Sequence, residues 1–165
     1  MGGKRIAVVG LGNILMGDDG VGIHVVRELI NRNLPPSVSV FEMGALGPEF
    51  FDIVSDYEKV IVVDGVKFGG KPGTVYKLSL ADIMSKMDRS ECDRQIISLH
   101  DLGSLESLFV ISNLCPEVLG KDIILIGIEV KRIEKFCDKL SPEVERAVAV
   151  AVKEILEEIH NKAEI

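Results

Sequence analysis

What most constrains this chain is a rhythm. Short β-branched runs alternate with turns and then with stretches whose apolar residues recur at helical spacing. Residues 4–9 (KRIAVV) are an apolar run ending at Gly10, as suits a buried parallel strand. From Asp19 to about Asn31, Val21, Val25 and Leu29, with Val26 and Ile30, fall on one helical face, and Asn33-Leu34-Pro35-Pro36 stops the helix. Residues 38–41 form a second strand. Residues 47 to about 55 form a short helix with Pro48 in its first turn. Residues 59–63 (KVIVV) form a third strand, running into Asp64.

The rhythm then changes. Only VKFGGKPG separates the third strand from a fourth at 74–80, which is too short for a helical crossover. The fourth strand is therefore expected to be antiparallel or at a sheet edge. Residues 84–95 are polar and read as a loop or short helix. A helix follows from Asp101 to about Asn113, a fifth buried strand at 122–130, and a last helix from Pro142 to about His160 with Ser141 as its cap. The pattern predicts one α/β domain spanning 1–165. It is a three-layer α/β/α sandwich on a mostly parallel five-stranded sheet, with one antiparallel edge strand. If the second and third strands flank the first on opposite sides, the chain reverses direction there. The ligand crevice then lies beyond the C-terminal ends of the first and third strands. That placement puts Asp19 and Asp64 in one crevice.

Bulk properties exclude several classes. The net charge of −7 argues against a broad nucleic-acid footprint, which needs a basic face, and against electrostatic attachment to an anionic membrane. No apolar run approaches the ~20 residues of a spanning helix, and the N-terminal stretch lacks the features of a signal peptide. Cys92, Cys115 and Cys137 are odd in number and widely spaced. This fits thiols in a reducing cytoplasm, with a cysteine nucleophile as the alternative.

The stretch GLGNILMGDDGVG, residues 10–22, first suggests a phosphate loop. Gly10 and Gly12 fit a dinucleotide fingerprint, but the third position is Leu15, and Gly17 comes two residues late. Asp18 and Asp19 occupy the helix N-terminus where a phosphate would sit, and no GK[ST] follows. Nucleotide binding is thus the weaker alternative. One aspartate can cap the helix and the other is free to face the crevice. Asp64 with Gly65 could equally cap a turn, and His100 alone could be a surface or capping histidine. Together, Asp19, Asp64 and His100 make an O/O/N set able to hold a divalent transition metal with open positions. His24 and His160 stand apart from it. There is no HExxH helix and no GxSxG elbow.

Three segments, GLGNILMGDDGVG, VIVVDGV followed by KPGT, and SLHDLGS, resemble in order and spacing the hydrogenase maturation endopeptidases. The resemblance covers nearly the whole chain. It implies an α/β/α fold and removal of a C-terminal peptide from the [NiFe] hydrogenase large-subunit precursor after nickel insertion. It assigns metal binding and catalysis to Asp19, Asp64 and His100, with Gly103 completing the histidine motif, and the nickel is supplied by the substrate. Gly44 and Gly47, with Glu42, match a substrate-binding loop after the second strand. Relatives commonly have Asp-Gly-Gly where this chain has Glu42-Met43-Gly44, Ala where it has Gly65, and Leu where it has Ser104. Of the two readings, Asp18 is expected to cap and Asp19 to ligate. The implied partner is the precursor; the cytoplasmic location is the expectation from the scattered thiols. A nickel-dependent chaperone that binds the precursor without cutting it is the alternative function.

Overall fold

A computed structural model describes residues 4–86 and 103–161. Five strands form one sheet: β1 (Ile6–Leu11), β2 (Val38–Met43), β3 (Lys59–Val66), β4 (Val75–Ser79) and β5 (Asp122–Glu129). Their order is β2-β1-β3-β5-β4. β1, β2, β3 and β5 are parallel, and β4 pairs antiparallel with β5 at the edge, as its short connection demands. β2 and β3 lie on opposite sides of β1, so the chain reverses there and opens a crevice beyond the strand ends.

Side chains alternate across the sheet and feed two cores. On one face Val8, Ile61 and Ile126 pack against α1 (Val21–Ile30) and the long α5 (Pro142–His160), burying Val25, Leu29 and Ile155 completely. On the other face Ala7, Val9 and Val62 meet α2 (Glu49–Asp56), α3 (Leu80–Lys86) and α4 (Ser104–Leu114) through Phe50, Ile83 and Leu108. The three-layer sandwich expected from the sequence is the fold observed.

Three local details differ from or add to the sequence pattern. The first helix does not begin at Asp19. Gly17–Gly20 form a 3-10 turn and the α-helix starts at Val21. The fourth strand ends at Ser79 because Ser79 and Asp82 make a reciprocal capping box. Ser79 N–H donates to Asp82 Oδ2 (2.9 Å) and Asp82 N–H donates to Ser79 Oγ (3.1 Å), which starts α3 at Leu80. A further 3-10 turn, Pro116–Gly120, connects α4 to β5. Of the expected helix at 101–113, residues 101 and 102 lie outside the described residues, as do 87–95 of the expected 84–95 loop.

Candidate active site

The turn after β1 is built backbone first. Gly12 has φ of +121°, and a Cβ there would strike the Asp19 carbonyl oxygen, so only glycine lets the chain fold back this tightly. Asn13 Oδ1 accepts from Leu15 N–H (2.9 Å), an Asx turn, and Asn13 N–H donates to Asp19 Oδ2 (3.0 Å). The Asp19 carboxylate is therefore oriented by the loop that precedes it. Gly22 also has a reason to be glycine. A Cβ there would meet the carbonyl oxygens of Val63 and Leu11, so the first turn of α1 rests directly on the ends of β3 and β1.

Asp18 does not cap a helix. Its side chain is fully buried, and Oδ2 accepts from the backbone N–H groups of Lys131 (2.9 Å) and Arg132 (2.8 Å). Oδ1 accepts from Ser141 N–H (2.6 Å), and Oδ2 also accepts from Ser141 Oγ (2.9 Å). Burial alone would raise its pKa, but the Ser141, Arg132 and Lys131 donors outweigh it and hold Asp18 below its ordinary value. Asp18 is thus a staple between the turn after β1 and the segment after β5. Ser141 does precede α5, but its hydroxyl serves Asp18 and makes no side-chain cap.

Asp19 and Asp64 line one cavity of about 430 Å³ at the strand-order reversal. Asp64, near the end of β3, is buried. Desolvation, helped by the Asp19 charge, pushes its pKa up to about 7 from an ordinary 3.8. Ser104, at the start of α4, opposes that shift through its hydroxyl and backbone amide. The hydroxyl is close enough to favour the carboxylate, although Ser104 Oγ is buried without a hydrogen bond of good geometry. In the sequence Ser104 was visible only as a departure from the related motif. Its place beside Asp64 depends on how α4 packs.

Gly44 and Gly103 also line the cavity; Glu42 and Gly47 do not. The Glu42 carboxylate is turned to Arg27, which grips it through Nε (2.7 Å) and Nη2 (3.0 Å). The substrate-binding role expected of Glu42 therefore gains no geometric support. His100 lies outside the described residues. Among the described residues no three His, Cys, Asp or Glu side chains come together as a metal cluster. His24 borders a different cavity with Glu28, Asp138 and Glu145, and His160 Nδ1 lies 2.6 Å from the Leu156 carbonyl oxygen. Sequence reasoning missed Glu129, the acid ending the apolar run of β5. It is buried and accepts from Phe68 N–H (3.0 Å), Gly69 N–H (3.1 Å) and Tyr76 Oη (3.2 Å), fixing the loop that forms one wall of the cavity.

The pair is chemically unequal. Asp19 is partly exposed and oriented by a backbone amide, whereas Asp64 is buried and close to neutrality. Two such carboxylates can share a divalent cation, which would favour their ionised forms, or divide acid and base duties. An open α/β sandwich with two aspartates lining one cavity at its switch point offers carboxylates suited to hydrolytic chemistry. The profile of the hydrogenase maturation protease family HycI matches residues 23–158, and the chain belongs to this family of peptidases. It is 33% identical over 166 residues to the coenzyme F420 hydrogenase subunit delta of Methanothermobacter thermautotrophicus, covering 94% of each chain. The hydrogenase 2 maturation peptidase of Thaumarchaeota archaeon SCGC_AB-539-E09 has a similar structure. Its TM-score is 0.69 at 35% identity, over 96% of this chain and 100% of the other. The hydrogenase maturating endopeptidase HybD of Escherichia coli gives a TM-score of 0.73 at 26% identity, covering 96% and 94%. No helix among the described residues is long and apolar enough to cross a membrane.

Proposed function

We propose that this peptidase removes the C-terminal extension of a [NiFe] hydrogenase large-subunit precursor once nickel has been inserted. The observation that carries the reading is the convergence of Asp19 and Asp64 in one cavity of a chain belonging to this family. Nickel is part of the substrate. Two carboxylates, with His100 contributed by the motif resemblance, form an incomplete set of ligands that a metal already held by the precursor would complete. A precursor without nickel would then dock poorly, making the metal a checkpoint. Where the nickel only positions the precursor and leaves Asp64 unbound, Asp64, poised near neutral pH, takes a proton from the attacking water, and Ser104 and Asp19 tune it; bound to the nickel it would instead be held ionised.

The test is incubation of the purified protein with nickel-loaded and nickel-free precursor, with the released peptide followed by mass spectrometry. Release only from the loaded precursor is expected. A loaded precursor that stays intact while still binding would overturn the protease reading in favour of a binding protein.

A further inference from the structure

The segment after β5 is held against the Asp19 turn by more than the Asp18 staple. Cys137 N–H donates to the Leu15 carbonyl (3.0 Å), Gly17 N–H donates to the Cys137 carbonyl (2.7 Å), and Asp18 N–H donates to the Arg132 carbonyl (3.0 Å). Met16 and Cys137 form an isolated parallel bridge, which places Leu15 beside Phe136. So firmly tied a segment should bury its apolar side chains, yet it displays them. Phe136 is 95% exposed, Leu15 55% and Ile133 40%. Phe136 is also the one non-glycine residue with positive φ (59°) among the described residues, a conformation bulky side chains rarely adopt. Ile133 belongs to both surfaces. It is exposed, and it lines the cavity holding Asp19 and Asp64. Ile133, three positions before Phe136 in the same tied segment, thus brings the exposed apolar residues of that segment to the rim of the site.

We propose that Leu15, Ile133 and Phe136 form a docking ridge for an apolar stretch of the hydrogenase precursor that flanks the bond to be cut. The inference rests on the processing role proposed above. The size of the ridge favours a substrate over a second copy of this chain. Three side chains offer at most a few hundred Å², against roughly 800 Å² per partner in a stable interface. Self-association through the ridge would also crowd the mouth of the cavity that a substrate must enter. An enzyme–substrate contact that forms and releases each turnover needs no larger area.

The ridge predicts a split in kinetics. With nickel-loaded precursor, Phe136→Ser and Leu15→Ser should each raise KM by about tenfold, the loss expected when an interface anchor is removed, while kcat is retained. Ile30→Ser, on a residue of α1 as exposed as Leu15, should leave KM as it is. An unchanged KM in both ridge variants, with wild-type cleavage intact, would overturn the ridge and leave the processing role standing. Failure of the wild type to cleave would instead sink the processing role. Sedimentation should find the protein monomeric; a dimer that Phe136→Ser dissolves would assign the ridge to self-association and overturn the proposal.

Discussion

The carboxylate of Asp18 accepts hydrogen bonds from both the backbone N–H and the hydroxyl of Ser141, 123 positions further along the chain. With Lys131 and Arg132 it collects four donors in a fully buried place. Removing the acceptor strands the buried Ser141 donors and frees the half-buried N–H groups of Lys131 and Arg132, so Asp18→Ala should destabilise the protein by about 3 kcal/mol. Ser141→Ala removes one donor and should cost about 1 kcal/mol. Urea unfolding measures both, and a loss below about 1 kcal/mol in Asp18→Ala would contradict the staple.

The two buried aspartates should pull the pH dependence of stability in opposite directions. Asp18 is more acidic folded than unfolded, so its contribution is present above the unfolded pKa and lost as pH falls through the folded one. Asp64 is less acidic folded, at about 7. Between pH 4 and 7 the native state holds a proton there that the unfolded chain has released, so stability falls as pH rises through that window. Asp64→Asn should remove this fall and be more stable than wild type at pH 8. Unfolding curves for the two proteins from pH 4 to 8 would show the difference, and parallel profiles would contradict the assignment.

Asp19→Ala, Asp64→Ala and His100→Ala should each abolish processing of the nickel-loaded precursor. Asp19 is partly exposed, so Asp19→Ala should unfold within about 1 kcal/mol of wild type. Asp19→Asn should also lower the Asp64 pKa by removing a neighbouring charge, which carboxyl NMR can follow. Normal processing by all three alanine variants would place the site elsewhere.

Gly22→Ala should be more damaging than its chemistry suggests. The added methyl would sit against the carbonyl oxygens of Val63 and Leu11, backbone atoms of two central strands that have no room to yield. A destabilisation of about 2–3 kcal/mol is expected from such overpacking. The shift should reach the Asp19 turn as well, so processing should fall with stability. Thermal unfolding and a processing assay on the same preparation check both.

Much of the arrangement was legible in the sequence because it depends on local periodicity. The β-branched runs, the helical spacing of Val21, Val25 and Leu29, and the short link before β4 were enough to fix the sandwich and its antiparallel edge. They also led to the crevice shared by Asp19 and Asp64, because the ends of β1 and β3 are adjacent once the strand order reverses. The capping box at Ser79 and Asp82 was equally readable, and the strand boundary set at Leu80 overlooked it.

What the sequence by itself determined was the order of elements, their layering and the crevice in which the acids meet. Only the tertiary structure decided what each acid does there. Asp18 became a staple rather than a cap because its donors lie 113, 114 and 123 positions away. Glu42 turned to Arg27, and Ser104 came to rest beside Asp64, through the packing of helices on the sheet. The physical reason is range. Periodicity is written among neighbours in the chain, whereas the partners and desolvation of a carboxylate are set by whatever the fold brings around it.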